Sequence, residues 1–220
     1  MTLVRGPLQL GLIYGMLAVG VYIAFRILGI PDLSAEGTFT FGLAVSAALT
    51  VAGHPLLGVL LGFLAGCLGG AVTGVLQTKL QIHPILAGIL TMSGLYSVNL
   101  AVMGSSSNLS LVGLDTLFRM SFDLFSSMDK EIVKLLLPAL FCLVLVVLLA
   151  LFFKTHEGLC IRATGDNEEM VRASSINVDV IKILALSISN GCIGLSGAVL
   201  AQYQGFADIS SGIGIVAVGL

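Results

Sequence analysis

An all-α integral membrane protein, built as a multi-span helical bundle, is the fold class this sequence predicts, and three observations carry that reading. Hydrophobic residues make up 57% of the chain and charged residues only 10%, against roughly 25% charge in ordinary soluble domains, and the mean hydropathy is +1.08. Apolar runs approaching the ~20 residues needed to cross hydrocarbon recur along the chain. The 27 glycines, sparse aromatics and absence of Trp suit helices packed through small residues. The alternating ~10-residue segments of an outer-membrane barrel are missing.

Spans are expected at about 8–29, 38–52, 56–77, 84–103, 132–153 and 182–204, the second of them short. Another begins near Gly212 and stops in mid-pattern at Leu220, which predicts a chain that continues; residues 1–220 read as one transmembrane domain. The opening "MTLVRG" lacks a small-residue cleavage pattern after it, so a retained first span is expected rather than a removed signal peptide. Between spans, 104–131 is apolar enough in "LDTLFRMSFDLF" to lie on a membrane surface. The stretch 154–182 is the most charged part and must sit in water. If it is cytoplasmic, alternation puts Arg26, Lys79, Lys154, Arg162, Arg172 and Lys182 inside, with Arg5, Arg119, Lys130 and Lys134 outside, in agreement with the positive-inside rule.

The net charge of -2 carries no basic tract, which excludes a nucleic-acid partner and leaves membrane lipid as the chain's surroundings. Cys67, Cys142, Cys160 and Cys192 have no metal-type spacing and read as small core residues. His83, alone before Pro84 in "QIHP", reads as interfacial, with the proline opening a helix.

Four features carry the organisation. Glycines at 58, 62, 66, 70 and 74 form a stripe on one face of the third span, where the missing Cβ lets another backbone approach inside one subunit. In the charged loop, Asp166 followed three residues later by Glu169 has the form of a capping box, predicting a short helix from about Asn167 to Ser174. It would offer Met170, Val171 and Ala173 for apolar contact and Glu168, Glu169 and Arg172 as charges; a partner-docking peg and an ordinary solvated loop both fit.

The third feature is a repeat. Displaced by 176 positions, "GIPDLSAEG" (29–37) lies on "GFADISSGI" (205–213), matching Gly29 with Gly205, Asp32 with Asp208 and Ser34 with Ser210, while Gly15 meets Gly191. Five segments separate the copies, an odd number, so the second would be inverted in the membrane with a polar, Gly-broken segment at the matching place. Asp32 or Ser34 can cap the helix expected from near Thr38; the carboxylates of Asp32 and Glu36 are expected near an interface or a wet cavity because hydrocarbon penalises them by ~2.5–3.5 kcal/mol. Capping and direct contact with a translocation path are both open readings. The fourth feature is polar residues within spans: Thr91, Ser93, Ser97 and Asn99 in the fourth, and Ser187, Ser189, Asn190, Gln202 and Gln204 in the sixth. They are candidates for a path or for interhelical hydrogen bonds.

The order "RATGDNEEMVRASSINV…ISNGCIGLSGAVLAQYQGFADISSGIG", with "DLSAEGTFTFG" upstream, resembles the permease subunits of ATP-binding-cassette (ABC) importers of the branched-chain amino acid and ribose class, nearest to those of tryptophan/tyrosine-type uptake systems. The likeness runs from the first span to Leu220. It implies a homodimer of permeases in the bacterial inner membrane, a cytoplasmic ATPase dimer beneath it that holds ATP and magnesium, and an extracytoplasmic binding protein that delivers substrate. Gly165, Asp166, Asn167, Glu168, Glu169, Met170, Val171 and Arg172 would then form the coupling helix seated on the ATPase. Relatives usually carry glycine where this chain has Ser175, so the turn ending that helix is a point of departure. No GxxxxGK[ST] occurs in the chain, so ATP hydrolysis falls to a partner and this subunit is not an enzyme.

The expected function is import of a small polar solute, an amino acid and foremost an aromatic one, by alternating access. Sugars and nucleosides in the same class are the alternative substrates. An ion-coupled secondary transporter would want an acidic relay deep in a span, whereas Asp32, Glu36 and Asp208 are expected near segment ends. An intramembrane enzyme finds no HExxH or GxSxG.

Overall fold

The computed structural model describes residues 2–124 and 130–219. Helix α1 (Thr2–Tyr22) continues through a π-helical turn, Ile23–Ile27, and is followed by α2 (Ser34–Val51), α3 (Pro55–Thr78) and α4 (Pro84–Val102). Prolines open α3 and α4, where a missing N–H costs nothing because that turn has no acceptor for it. A short strand β1 (Asn108–Ser110) and α5 (Leu117–Leu124) lead to α6 (Lys130–Phe152), then α7 (His156–Asp166) and α8 (Glu168–Ala173). Helix α9 (Val178–Gln204), strand β2 (Phe206–Asp208) and α10 (Ile215–Gly219) complete the order. Among the described residues, five segments are long and apolar enough to cross a membrane: Gly6–Ile27, Pro55–Thr78, Pro84–Val102, Ile132–Phe152 and Val178–Gln204.

Helix α9 is the axis of the bundle, with 78% of its most apolar window buried, against 17% for α6. Exposed Leu136, Leu140, Leu143, Val147 and Leu151 give α6 an apolar face for lipid. Helix α1 runs antiparallel to α9: Ser189 Oγ donates to the Gly20 carbonyl and Ser196 Oγ to that of Ile13, both at 2.7 Å, so one index falls as the other rises. Helix α2 runs parallel to α9, since Thr38 bonds Asn190 and Ser46 bonds Ala198.

The glycine stripe of α3 lies on α9 and the latter half of α2. A Cβ at Gly58 would meet Ser46, at Gly62 Ala198, at Gly66 the Asn190 carbonyl, at Gly70 the Leu186 carbonyl, and at Gly74 Ile183. Only glycine lets these backbones close to this distance.

The antiparallel pair carries the repeat. Displaced by the 176 positions of the sequence match, α1 with its π-turn superposes on α9 in extent. Gly29 and Gly205 then coincide, and both end their helix in the left-handed region, at φ 70° and 77°. That conformation is open to glycine at little cost. Two residues of turn later, the Ser34 N–H donates to Asp32 Oδ1 at 2.8 Å and the Ser210 N–H to Asp208 Oδ1 at 2.6 Å. The copies share sequence, turn geometry and hydrogen bonding, and their long helices run in opposite directions.

Candidate functional site

The site is built where the two broken segments meet. After the π-turn the chain doubles back, and α2 begins at Ser34 rather than near Thr38, a correction to the sequence expectation. The reason is the Asp32 turn, which satisfies the Ser34 N–H inside the bundle and lets the helix start four residues earlier. Asp32 also accepts from Ser34 Oγ at 2.6 Å and, through Oδ2, from Asn190 Nδ2 at 2.6 Å. Asn190 is the thirteenth residue of α9, roughly 18 Å from its start at ~1.5 Å per residue. Asp32, 1% exposed, lies two residues before the start of α2, and its carboxylate reaches the interior of α9. Three donors meet its charge there.

Glu36 stands one turn further along α2. Its Oε1 accepts from the Gly214 N–H at 3.0 Å, and a Cβ at Gly212 would strike the Glu36 carbonyl. Gly212 is the repeat mate of Glu36, so equivalent positions of the two copies touch, as they must on a pseudo-two-fold axis. Beside this contact lies a cavity of about 320 Å³ lined by Glu36, Thr40, Met92, Tyr96, Asn99 and Ile213, with Ser93, Ile209 and the backbone of Gly37 and Gly212. Its volume falls within the ~300–1,000 Å³ of small-molecule sites. Asn99, 1% exposed, donates through Nδ2 to the Gly37 carbonyl at 3.4 Å, while its Oδ1 is buried without a protein partner. Buried acceptors are normally matched.

The other singled-out residues have different surroundings. Asn190 bridges Asp32 and Thr38, whose Oγ1 donates to Asn190 Oδ1 at 2.6 Å. Gln202 clamps the far end: its Nε2 donates to Ser46 Oγ and the Pro55 carbonyl, and its Oε1 accepts from Leu117 N. Gln204 and Ser210 are exposed, and Asp208 sits in β2, paired in register with Asn108 of β1. Thr91 and Ser187 bond carbonyls of their own helices, at Ala87 and Ile183. Met92 and Tyr96 were not anticipated from the sequence; their signal is the helical spacing that puts Met92, Tyr96 and Asn99 on one face of α4.

At the opposite end of α9, the charged loop folds as two helices where one was expected. Thr155 caps α7 by accepting from Gly158 N. Asp166 is the last residue of α7, and the cap of α8 is Asn167, whose Oδ1 accepts from Met170 N at 3.0 Å. The expected Asp166–Glu169 capping box is thus displaced by one residue, because α7 runs through Asp166. Gly165 packs on the Ile27 and Leu28 backbone, seating the pair beneath the π-turn of α1. Val171 is buried, Met170 is 57% exposed, and Glu168 ties α8 to α9 through Lys182 Nζ at 2.6 Å and to Arg172 at 2.9 Å. The Lys182 hydrogen bond is the main reason the Glu168 carboxyl is held below its ordinary pKa, with Arg172 assisting against the opposing effect of burial. Arg26, Lys79 and Arg162 belong to this end, whereas Arg119 is near Gln202 at the other.

Comparison with known proteins follows the same outline. A family model described as the branched-chain amino acid transport system permease component matches residues 6–219. The chain is 41% identical over 210 residues to a tyrosine transport system permease protein of Clostridioides difficile, covering 95% of this chain and 68% of that one. It is 35% identical over 222 residues to an uncharacterized protein of Rickettsia prowazekii, covering 100% of this chain and 75% of that one. A shorter match, 37% identical over 76 residues, joins 34% of this chain to 22% of an autoinducer 2 import system permease protein of Salmonella typhimurium. No solved structure gives a significant match.

Proposed function

The chain belongs to the branched-chain amino acid transport system permease family, a family of multi-pass membrane proteins, and from that premise we propose that it is the membrane subunit of an ABC importer for an aromatic amino acid. The observation that carries the transport reading is the junction of the inverted copies at Glu36 and Gly214. Two broken segments that meet in this way form a point about which the halves of a bundle can tilt, closing one side as the other opens. The relative from Clostridioides difficile is a tyrosine transport permease, and the cavity at the junction has apolar walls with a few polar groups.

Helix α8 is the proposed contact with the ATPase on the cytoplasmic side, which fits the cations gathered at that end. Val171 fixes α8 to the bundle and Met170 projects from it. Because Gly165 rests on the end of α1 and Glu168 holds α9, a push on α8 reaches both long helices of the repeat. Movement of the ATPases, which carry ATP and magnesium, would thereby tilt the two copies against each other. A second permease and an extracytoplasmic binding protein complete the proposed assembly.

The test is tyrosine uptake by cells expressing the permease with its genomic partner ATPase and binding protein. Uptake should be lost in Met170→Glu, with the permease still in the membrane and the ATPase no longer co-purifying. If Met170→Glu and a flexible linker in place of Glu168–Ala173 both retain the ATPase, α8 is not the docking element. If cells take up ribose and not tyrosine, the amino-acid reading falls.

A further inference from the structure

The cavity beside Glu36 combines a carboxylate, an unmatched acceptor and an aromatic ring, with no lysine, arginine or histidine in its lining among the described residues. Each has a bland reading. An acidic residue in the first turn of α2 favours the helix dipole, a buried Asn can be a structural bond, and Tyr96 can be an exposed helix residue. What the bland readings leave unexplained is their coincidence. Glu36 Oε1 has only a backbone N–H from Gly214, and Oε2 has no protein donor among the described residues. Glu36 is half-buried and lines the cavity, so its Oε2 is free to accept from a ligand there. Asn99 Oδ1, on the same wall, is buried and unmatched.

We propose that this cavity binds the ammonium group of a small primary amine or amino acid, with Glu36 as its counter-charge, Asn99 Oδ1 as a second acceptor, and Met92, Tyr96 and Ile213 around its apolar body. An ammonium has three donors and no acceptor. The cavity therefore offers what it needs: two separate oxygen acceptors, with the aromatic side chain of Tyr96 in the same lining. A carboxylate finds no cation in the lining, so the acid end of an amino acid is left toward the mouth. Recognition is then through the amine, and an amine lacking the carboxylate should bind as well as the amino acid. This deepens the import reading by naming the part of the substrate that the permease itself holds, and it rests on that reading for the ligand's passage through the cavity.

The experiment uses the natural full-length permease, purified in detergent, with three probes of similar body: L-tyrosine, tyramine and 3-(4-hydroxyphenyl)propionate. Tyramine and L-tyrosine should each raise the melting temperature, by on the order of 5 °C near saturation, and the propionate should not. Glu36→Gln should remove the tyramine shift and weaken its binding at least ~10-fold, and Asn99→Ala should weaken it less. A shift with the propionate equal to that with tyramine overturns the proposal in the unsubstituted protein alone, whether or not either variant folds. So does an undiminished tyramine shift in folded Glu36→Gln. Failure of tyrosine uptake in cells with tyramine binding intact would sink the import reading and leave the site standing; uptake without any amine-dependent shift would do the reverse.

Discussion

Asn190 Nδ2 donates to Asp32 Oδ2 at 2.6 Å, joining the turn before α2 to the middle of α9 across 158 positions of sequence. On the other face of the same amide, Asn190 Oδ1 accepts from Thr38. Asp32 does not line the cavity, so its role here is to hold the start of α2 in place. Asp32→Ala would strand the Ser34 N–H and one of the two Asn190 amide hydrogens, the other being held by the Leu186 carbonyl, at ~1–3 kcal/mol for each unmatched group. Asp32→Asn should cost ~1–3 kcal/mol as well. An Asn at 32 can still accept from Ser34, but its Nδ2 then faces Asn190 Nδ2, donor against donor, and Asn190 cannot flip without setting its Oδ1 against the Leu186 carbonyl that its Nδ2 now holds at 3.1 Å. Melting temperature and tyrosine uptake per folded molecule separate the cases. Uptake lost in a fully folded Asp32→Asn would show that the charge itself acts in transport.

The close approach of α3 to α9 predicts opposite signs at two glycines. A methyl at Gly66 would collide with the Asn190 carbonyl and the backbone of Gly191, neither of which can give way without moving α9. Gly66→Ala should cost ~1–3 kcal/mol by overpacking. At Gly94 of α4 nothing lies within 4 Å of the added atom, so Gly94→Ala should gain ~0.5–1 kcal/mol by removing backbone freedom from the unfolded chain. Thermal denaturation in detergent compares them, and equal effects would contradict the packing described.

Much of this arrangement is legible in the sequence because it rests on local chemistry. Prolines 55 and 84 announce α3 and α4, the stripe at 58–74 announces a close helix contact, and nine residues at 29–37 and 205–213 disclose the inverted copies. Partners are what the sequence conceals. Hydropathy averages over a window and sets Asp32 and Glu36 at the start of a segment, where α2 begins, but the groups that bond them, Asn190 and Gly214, lie 158 and 178 positions away. Helix α7 is hidden for a related reason: it is polar, so only its caps and its seat on Ile27 define it. The α4 wall of the cavity, Met92 and Tyr96, shows as a face only once Asn99 is known to point inward.

Ser175 follows α8 with φ 61°, in the left-handed region that penalises a side chain. The cost for an L-residue is ~1–2 kcal/mol. Ser175→Gly should recover about 1 kcal/mol, and Ser175→Val, β-branched at the same φ, should lose more than that. The measurement is the melting temperature together with amide exchange over 168–177. A destabilised Ser175→Gly would mean that the serine hydroxyl holds the turn by a contact worth more than the strain.

The Glu168–Lys182 pair fixes α8 to α9 and sets a pH limit on that attachment. Glu168 has its carboxyl pKa depressed in the folded chain, first by the Lys182 hydrogen bond and then by Arg172. A depressed acid stabilises the folded state fully above its unfolded pKa, ~4.3 for glutamate, and that contribution is lost as pH falls through the lower, folded value. No change in α8 is therefore expected between pH 8 and 5, and loosening should begin only below ~4.3. Lys182→Met should loosen α8 at neutral pH more than Arg172→Met, because the Lys182 bond is the larger cause and the shorter contact, 2.6 Å against 2.9 Å. Both side chains of the pair reach solvent, so added salt should weaken the attachment as well. A nitroxide attached at position 170 reports the mobility of α8 directly. Glu168→Gln should abolish the acid-dependent step in that signal, and a step that persists in Glu168→Gln would assign the titration to another group.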